Sequence, residues 1–406
     1  MMIRQEQISA IIVSQQESFL NKRADLPREA LPYIPIVDGY ATIITGIRRC
    51  GKSTMLLQLL KKKYKNALYV NFEDIRLAGF EVSDFNRLKE AIDQQGTRVL
   101  FFDEIQLTEK WEIFVHHLLR EAYTVFITGS NASLLSKELG THLTGRHLSK
   151  ELFPFSFNEY ARFKKLNTDK QALLSYLNDG GLPEYVKHRE PLILQQLLED
   201  ILVSDIAVRH GIRDTGSLKQ LTVYLISNVG SPVSANKLVD MFGIRSSATI
   251  LEYFNYLTDA YLIEFLPQFS YSLKAQSRNP KKVYTIDNGF LSTVATSFTE
   301  NLGRKLENLI YQQLRRNYQE LYFFSEKGEC DFIVFVKGRI HQAIQVCYQI
   351  NDLNFDREYR GLLQALQFFQ IKEGFMITWD QKDVFQEKDY TIHMVPAYEY
   401  LMLSGK

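Results

Sequence analysis

The stretch Gly46-Ile47-Arg48-Arg49-Cys50-Gly51-Lys52-Ser53 decides the fold class, because it matches the phosphate-binding pattern G-x-x-x-x-G-K-[ST] at every fixed position. The β-branched and aromatic run 40–45 before it predicts a buried strand, and the apolar residues of 53–60 after it recur at helical spacing. Glycines at both ends allow backbone N–H groups to point at phosphate oxygens beside a helix N-terminus. We therefore predict that the chain binds a nucleoside triphosphate through Gly46, Arg48, Arg49, Cys50, Gly51, Lys52, Ser53 and Thr54.

The second feature is an apolar run, 99–102, that ends in Asp103 and Glu104. Such a run is typical of a strand buried on both faces, and ligands of doubly wound sheets collect at the carboxyl ends of such strands. We expect Ser53 and Asp103 to hold Mg²⁺ with ATP. Lys52 would contact the β- and γ-phosphates, and Glu104 would orient and deprotonate the attacking water as a catalytic base.

A third strand, 124–128, is followed by Gly129-Ser130-Asn131. Its position after the acidic strand places Thr128, Ser130 and Asn131 where a side chain that senses the γ-phosphate belongs, and Asn131 is the catalytic candidate. The Gly-Ser-Asn sequence is also ordinary turn chemistry, so its place along the chain carries this prediction.

Composition limits the classes of protein that fit. The 406 residues suggest two to three domains, and 45% hydrophobic with 23% charged residues is ordinary for a globular chain. A formal net charge of +1 neither favours nor excludes nucleic acid. The N-terminus lacks an apolar signal core and no run approaches the ~18 apolar residues of a membrane span, so we expect a cytoplasmic protein without a membrane partner. The three cysteines are too scattered for a disulfide framework or a zinc site.

Several ordered motifs resemble those of a large family of prokaryotic AAA+ ATPases, in which the ATPase module precedes a C-terminal region of unknown function. Besides the phosphate loop, they are Asn71-Phe72-Glu73-Asp74, Asp103-Glu104-Ile105-Gln106, Thr128-Gly129-Ser130-Asn131-Ala132, Leu143-Thr144-Gly145-Arg146, Pro154-Phe155-Ser156-Phe157, Gly181-Leu182-Pro183-Glu184 and Tyr284-Thr285-Ile286-Asp287-Asn288-Gly289-Phe290. The resemblance implies an AAA+ fold and ATPase activity. It also makes Arg146 the candidate catalytic arginine, acting on the γ-phosphate in cis or from a neighbouring subunit, and so leaves a homo-oligomer open.

We predict an α/β chain of four parts. A P-loop AAA+ core with a parallel sheet occupies residues 1–152, where strands near 40–45, 67–72, 98–103 and 124–128 alternate with helices. It is followed by a helical lid and linker (153–214), a winged helix (215–295) and a nuclease-like α/β domain (296–406).

The winged-helix prediction depends on three helices, 218–229, 234–242 and 246–259, followed by strands 261–269 and 282–286. The connection between the strands forms a basic wing with Lys274, Arg278, Lys281 and Lys282. DNA binding is favoured if the third helix enters the major groove while the wing contacts phosphates. The third helix carries Glu252 and Asp259, however, and winged helices also bind proteins, so a protein partner stays open.

The segment 296–406 resembles the PD-(D/E)XK nuclease fold, which forms the C-terminal domain of other members of the family. Such a site needs carboxylates that hold Mg²⁺ and a lysine that steadies the attacking water. Glu307 and Asp331 are in place, whereas Gln345 stands where an acid is usual and Cys347 where the lysine is expected. We therefore predict a vestigial nuclease site that cuts neither DNA nor RNA.

Lys327 and Lys337 are the nearby residues that would supply the missing cation if the site were active. Three functions thus follow from the sequence. The favoured one is an ATP-hydrolysing AAA+ protein coupled to a C-terminal region associated with nucleic acid, preferably DNA. The alternatives are a regulatory ATPase whose C-terminal half binds a protein, and an active metal-dependent endonuclease.

Overall fold

The chain folds into two compact units in a computed structural model that describes residues 3–23, 26–130, 145–295 and 301–403. One unit comprises residues up to 153 together with 259–261, and the other comprises residues 154–258 and 262 onward. The predicted boundary at 152 lies one residue before the end of the first unit. The finer division of the second unit into lid, winged helix and nuclease-like domain stays a prediction.

A five-stranded parallel sheet forms the centre of the first unit. Its strands are β1 (Ala41–Thr45), β2 (Leu68–Asn71), β3 (Val99–Asp103), β4 (Thr124–Gly129) and β5 (His147–Glu151). They lie in the order β2-β3-β4-β1-β5, and every neighbouring pair is parallel. Because β4 lies between β1 and β3, the carboxyl ends of these three strands meet at one edge of the sheet. This is the parallel sheet of a P-loop AAA fold.

Helices cover both faces of this sheet, which explains why its central strands are apolar along their whole length. The helices are α1 (Gln5–Asn21), α2 (Lys52–Lys63), α3 (Asp84–Gln94) and α4 (Trp111–Arg120). β1 is buried at every position, whereas β5 is only partly buried along most of its length. The polar sequence of β5 is therefore that of an edge strand.

Helix α1 closes the opposite edge of the sheet through two glutamines. The side-chain amide of Gln15 both accepts from the Asn71 N–H, at 2.8 Å, and donates to the Asn71 carbonyl, at 3.0 Å. Gln16 makes the same kind of contact with the Tyr69 N–H and the Ala67 carbonyl. The two amides thus satisfy backbone groups of β2 that a further strand would otherwise pair, which protects an exposed sheet edge.

The second unit begins with helices. They are α5 (Phe157–Lys164), α6 (Lys170–Asp179), α7 (Pro183–His188), α8 (Pro191–Asp200), a π-helical segment (Ile201–Ala207) and α9 (Val208–His210). The Ser156 hydroxyl accepts from the Glu159 N–H at 3.0 Å and the Glu159 side chain accepts from the Ser156 N–H, which fixes the start of α5 as a capping box. The predicted helix 192–208 is thus continuous but passes through a π-helical segment.

A three-stranded antiparallel sheet follows, with helices before and between its strands. In chain order the elements are α10 (Thr215–Ser227), β6 (Pro232–Val233), α11 (Ala235–Leu238), α12 (Ser247–Asp259), β7 (Ile263–Pro267), α13 (Leu273–Arg278), β8 (Lys281–Thr285) and α14 (Asn288–Thr293). The strand order is β6-β8-β7. The predicted second helix, 234–242, is reduced to four residues, and the predicted wing contains the short helix α13.

The last part of the second unit is a mixed six-stranded sheet with the order β13-β14-β12-β11-β10-β9. Its elements are α15 (Leu302–Asn317), β9 (Glu320–Ser325), β10 (Glu329–Val336), β11 (Arg339–Val346), α16 (Phe355–Phe369), β12 (Glu373–Thr378), β13 (Asp383–Glu387), β14 (Tyr390–Pro396) and α17 (Ala397–Leu403). β9, β10 and β11 are antiparallel neighbours, whereas β12 is parallel to β11 and to β14.

Within the described residues, no helix combines the length and the apolar character needed to cross a bilayer.

Candidate ATP site and carboxylate cleft

The loop between β1 and α2 has a backbone that its glycines make possible. Gly46 has φ +133°, and a Cβ atom there would lie 2.2 Å from the Leu152 carbonyl oxygen, so the loop packs against the end of β5 more closely than any side chain allows. Gly51 also has a positive φ, +101°, and so does the non-glycine Arg49, at +65°. Alternation of such conformations turns backbone N–H groups toward one side, which suits a phosphate.

Lys52 begins α2 and lies across the loop. Its side chain is 6% exposed, and its ammonium donates to the carbonyls of Gly46, at 3.1 Å, and Ile47, at 3.2 Å. Both partners are neutral. The ammonium is therefore held beside the N-terminus of a 12-residue helix by hydrogen bonds that an anion can replace at little cost.

Asp103 ends β3 and is almost fully buried, with a donor on each carboxylate oxygen. The Tyr69 hydroxyl donates to Oδ2 at 2.7 Å, and the Thr128 hydroxyl donates to Oδ1. Tyr69 and Thr128 lie on the two strands that flank β3, so the sheet order itself assembles this triad. Two donors stabilise the charged carboxylate and fix its orientation.

Glu104 follows directly and adopts a left-handed conformation, with φ +55° and ψ +38°. Its N–H donates to the Thr128 hydroxyl at 3.1 Å, and its carboxylate accepts from Gln106. Burial raises the pKa of Glu104, and the charges of Asp103 and Glu73 add to that effect, while Lys52 opposes it. A carboxylate with a raised pKa is a stronger proton acceptor, and a non-glycine residue held at positive φ is often found where function fixes a side chain.

These residues fit ATP with Mg²⁺. The loop lies beside the N-terminus of α2, where anionic oxygens are favoured. Ser53 is a partly exposed hydroxyl in the first turn of that helix, which begins at the edge of the sheet where β3 ends with Asp103. Ser53 and Asp103 would hold Mg²⁺, which supplies charge neutralisation of the phosphates. Arg48 is half-buried and pairs with Glu73 at 3.8 Å, whereas Arg49 and Thr54 are exposed.

Asn131 lies outside the described residues. Of the three polar side chains predicted near the γ-phosphate, Thr128 is the one whose contacts are defined, because it touches both Asp103 and Glu104.

Arg146 lies at the other end of the sheet. Its carbonyl accepts from the Ala41 N–H at 3.0 Å, where β1 begins, and the paired strands β1 and β5 then run together for five residues before the phosphate loop. Five strand residues span roughly 16 Å. The cis alternative for Arg146 is therefore incompatible with this placement, because its side chain is too short to reach the loop of its own chain. Action from a neighbouring subunit stays a prediction.

Cys50 packs inside the loop. Its thiol is fully buried, and burial raises its pKa, with Lys52 and Arg28 opposing the shift. Arg28, which sequence analysis did not single out, donates to the Cys50 carbonyl at 2.9 Å and to the Phe153 carbonyl at 2.6 Å. The buried guanidinium ties the loop to the segment before β1. Cys50 thus belongs to the loop through its backbone, and its side chain faces the protein interior.

In the second unit, two of the family-like motifs meet. The Asp287 carboxylate accepts from the Gly181 N–H at 2.6 Å and from the Gly289 N–H at 2.8 Å, and a Cβ on Gly180 would overlap it at 1.9 Å. The Asn288 amide donates to carbonyls of Leu177 and Lys305. These motifs therefore hold helices and strands of the second unit together.

A cleft of about 730 Å³ opens in the same unit, between β10, β11 and α16. Glu307, Asp331 and Gln345 line it, as predicted for the nuclease-like site, but Cys347 does not. The Cys347 thiol instead contacts the Gln349 carbonyl, and burial raises its pKa to about 11. A neutral thiol outside the lining of the cleft replaces neither the position nor the charge of a lysine.

The cation that the sequence lacked in β11 comes from β8. The Lys282 ammonium, 2% exposed, lies 2.7 Å from Asp331, 2.7 Å from Glu329 and 3.3 Å from Glu307. Burial alone would lower the pKa of Lys282, but the three carboxylates raise it well above its usual value. The prediction that Lys282 belongs to a basic wing is therefore wrong, because its side chain is committed to this cluster.

The acid that the nuclease pattern lacks at position 345 is also supplied by another element, because Glu358 of α16 lies beside Gln345. Gln345 donates to the buried Glu358 of α16 at 2.6 Å and accepts from the Asp331 N–H at 3.1 Å. Of the two lysines considered as substitutes, Lys327 lines the cleft and Lys337 lies in the turn after β10 and does not. Neither Lys282 nor Glu358 stands at a recognisable spacing from Asp331 in the sequence, so the sequence pattern does not predict that they belong to this cleft.

Among the described residues, no group of three or more His, Cys, Asp or Glu side chains is arranged to hold a metal ion. The cleft therefore does not fit the Mg²⁺ that the nuclease resemblance implies, since the Lys282 ammonium lies among the carboxylates that would be its ligands.

Comparisons with known proteins match two segments of the chain. A family model described as "AAA domain" matches residues 38–161, and one described as "Domain of unknown function (DUF8612)" matches residues 170–301. The protein "Uncharacterized protein MJ1544" of Methanocaldococcus jannaschii is 34% identical over 399 residues, which cover 90% of this chain and 89% of that one. The chain belongs to the same family. In this chain the AAA domain precedes the domain of unknown function.

An "Uncharacterized protein" of Haemophilus influenzae is 31% identical over 366 residues, covering 82% of this chain and 91% of that protein. Among solved structures, "Structure of Drosophila ORC bound to DNA" aligns with 68% of this chain and 94% of its own at 11% identity, with a TM-score of 0.23. A TM-score this low carries no conclusion about the fold or function of this protein. The family sequence match thus identifies the AAA domain, and the winged-helix and nuclease-like assignments belong to the proposals below.

Proposed function

We propose that this protein hydrolyses ATP with Mg²⁺ at the loop 46–53. The observation that carries the proposal is the meeting of Lys52, Asp103, Glu104 and Thr128 at one edge of the parallel sheet, with Asp103 oriented by two donors. The AAA domain match supports it.

In the proposed mechanism, the ammonium of Lys52 exchanges its two carbonyl partners for β- and γ-phosphate oxygens. Thr128 holds Asp103 and the Glu104 backbone at a fixed separation. Glu104 then exchanges Gln106 for the attacking water and accepts its proton, which its raised pKa favours. Positioning and charge stabilisation account for the remaining catalysis.

The test compares three variants by ATP binding and by phosphate release. Glu104→Gln is expected to bind ATP and lose turnover by about 10²–10⁴-fold, since a general base contributes that much. Lys52→Ala is expected to lose binding. Glu109→Gln, which removes an exposed carboxylate five residues along, is the matched control and keeps turnover. A folded Glu104→Gln protein that hydrolyses ATP at the wild-type rate contradicts the mechanism.

We further propose that the C-terminal unit associates with nucleic acid, preferably DNA, through the winged-helix-like elements. A hollow of about 470 Å³ beside α12 is lined by Asn255, Arg278 and Lys281, which offer an amide and two cations to a phosphate backbone or base edge. Lys282 is not available for this contact.

The second candidate is a protein partner, and a specific observation favours it. Helix α12 contains neither lysine nor arginine, and its exposed residues include Leu251, at 52%, and Glu252. A helix that reads DNA normally faces the phosphates with cations. An exposed leucine on a helix without cations is instead typical of a protein contact.

One experiment separates the two candidates. Binding and ATPase stimulation are measured with DNA and RNA over a salt series, for the wild type, Arg278→Ala with Lys281→Ala, and Leu251→Ala. Nucleic-acid binding that weakens with salt and is lost in the double variant supports the first candidate. Absence of binding and of stimulation by every nucleic acid contradicts it. If the double variant still binds nucleic acid, Arg278 and Lys281 do not form the binding surface.

A further inference from the structure

The Lys282 ammonium has three N–H donors, and the structure provides three carboxylates for them. Asp331, Glu329 and Glu307 contribute one oxygen each within 3.3 Å. They come from β10 and α15, whereas Lys282 comes from β8, so one side chain joins three separate elements. A lysine this deeply buried is rare unless it is paired, and here the pairing is complete.

The chain itself makes two further hydrogen bonds to the carboxylates of the cluster. Asp331 Oδ2 accepts from the Val346 N–H at 2.9 Å, and Glu307 accepts from the Tyr284 hydroxyl at 2.7 Å. A divalent metal needs carboxylate oxygens at about 2.0–2.6 Å, and the ammonium lies in the space where such a metal would contact Asp331 and Glu307. The metal and the ammonium therefore exclude one another.

Gln345 fits a metal-free cluster better than an acid does. Its amide donates to Glu358 and accepts from the Asp331 N–H, so both ends of the amide are used. A glutamate at this position would place a carboxylate against Glu358 within hydrogen-bond distance, and like charges that close destabilise a buried site. Gln345, the residue that departs from the nuclease pattern, is thus matched to Glu358 of α16.

The charge of the cleft gives no attraction for a polyanion. Its lining contains four lysine or arginine residues and five aspartate or glutamate residues. A cleft that binds a nucleic-acid strand without a metal normally has a clear excess of cations.

From these contacts we propose that Lys282 is an internal cation that occupies the metal position of the nuclease-like cleft. It converts a divalent-metal site into a metal-free clamp that holds β8 against α15 and β10. The clamp is independent of the ATP site, and its test does not use ATP hydrolysis.

The first test measures Mn²⁺ binding to nucleotide-free protein by electron paramagnetic resonance. Wild type is expected to show no saturable binding that depends on Asp331. Lys282→Met, which keeps the side-chain length and removes the charge, is expected to bind one Mn²⁺ per chain, and Lys282→Met with Asp331→Asn is expected to lose it. Lys281→Met is the matched control, because it removes the neighbouring lysine, and should bind as wild type does.

Two results overturn the proposal. One is Mn²⁺ binding by wild type that disappears in Asp331→Asn, and the other is a folded Lys282→Met protein without gained binding. If Lys282→Met does not fold, the comparison of wild type with Asp331→Asn decides alone, because unchanged Mn²⁺ titration supports the clamp and lost binding overturns it.

A second test uses DNA and RNA cleavage with Mg²⁺ or Mn²⁺. Wild type is expected to cut neither. Cleavage that is abolished in Asp331→Asn, in Glu358→Gln and in Lys282→Met would mean that Lys282 and Glu358 act as the relocated lysine and acid of a working nuclease, and would overturn the metal-free clamp.

Discussion

Each of the two units contains a buried lysine, Lys52 in the first and Lys282 in the second, and the two ammonium groups differ in their hydrogen-bond and charge partners. Lys52 is 6% exposed and donates to two neutral carbonyls of its own loop. Lys282 is 2% exposed and lies against three carboxylates. Carboxylates lie near both ammonium groups in the fold. Their partners make one available and the other committed.

The two lysines differ in how easily a ligand can replace their present partners. A hydrogen bond from an ammonium to a neutral carbonyl contributes about 1.5–3 kcal/mol net, and a phosphate that replaces the carbonyl adds an opposite charge. Breaking a buried ion pair by removing one partner costs about 3–5 kcal/mol, because the other charge is left buried and uncompensated. We infer that the loop is built to receive an anion, whereas the cleft is already complete without a ligand.

The largest effect is expected at Arg146, which tests whether the ATP site is completed from outside the chain. Because Arg146 lies at the far end of β5, we expect it to act on the nucleotide of a neighbouring copy. Arg146→Ala should lower turnover by about 10³-fold or more, as loss of an arginine finger does, with ATP affinity largely kept. Arg120→Ala, which removes an exposed arginine at the end of α4, should change turnover little.

Mixing the variants tests whether Arg146 acts on the nucleotide of a neighbouring chain. Arg146→Ala and Lys52→Ala proteins should recover part of the activity when combined, because one mixed interface contains an intact loop and an intact arginine. If oligomers shown to be mixed recover no activity, the proposed role in trans is wrong.

The next effect compares the two lysines directly. Lys282→Met should lower the free energy of unfolding by about 3–5 kcal/mol and leave ATP affinity unchanged. Lys52→Met should abolish ATP binding and lower the free energy of unfolding by less, because the two hydrogen bonds that it removes leave neutral carbonyls and no uncompensated buried charge.

The chain's two tryptophans allow each unit to be measured separately. Trp111 belongs to the first unit and Trp379 to the second, and both are buried. Urea unfolding of Trp111→Phe protein therefore reports the second unit, and unfolding of Trp379→Phe protein reports the first. Lys281→Met is the control for Lys282→Met. Equal losses in Lys281→Met and Lys282→Met would remove the distinction between a clamped and a free lysine.

The candidate ATP site can be predicted from the sequence because its parts are local. The loop residues and Lys52 lie within eight consecutive positions, and Asp103 with Glu104 ends an apolar run that predicts its own strand. β5 was not among the predicted strands, since its half-exposed sequence, His147–Glu151, is polar and resembles a loop. Its absence from the prediction also hid the distance between Arg146 and the phosphate loop.

The cleft shows the opposite case. Lys282 contacts an acid 49 residues away, and Glu358 contacts Gln345 from 13 residues away on a different element. No periodicity links such positions, so the sequence pattern predicts a wing that contains Lys282 and a carboxylate cluster without a cation. Successive side chains of a strand point to opposite faces of the sheet. In β8 the Lys282 side chain is therefore on the buried face that contacts the carboxylates, whereas Lys281 is half-exposed.

A smaller effect concerns the pH dependence of the second unit. Burial raises the pKa of Asp287 from its ordinary 3.8 to about 6, and the N–H groups of Gly181 and Gly289 only partly offset this. Between about pH 4 and about pH 6 the unfolded chain has released this proton while the folded chain retains it. Stability therefore falls as pH rises through that window, by on the order of 3 kcal/mol, and levels off above it.

Urea unfolding followed by Trp379 across pH 4–8 tests this. In Asp287→Asn the slope between about pH 4 and about pH 6 should disappear, although absolute stability also falls because an amide cannot accept from both N–H groups. Asp352→Asn, which removes an exposed acid, should keep the wild-type slope. A slope that persists in Asp287→Asn assigns the pH dependence to another group.

The smallest effect returns to the phosphate loop and separates backbone strain from lack of space. Gly46 and Gly39 both have positive φ, +133° and +76°, so alanine is strained at each. A Cβ on Gly46 would lie 2.2 Å from the Leu152 carbonyl oxygen, whereas a Cβ on Gly39 meets nothing within 4 Å. The overlap forces the loop away from β5 at a cost of about 1–3 kcal/mol beyond the shared strain. Gly46→Ala should therefore weaken ATP binding at least tenfold by calorimetry, while Gly39→Ala keeps wild-type affinity with a small loss of stability. Equal ATP affinities in the two variants would mean that the close packing of the loop against Leu152 does not shape the nucleotide site.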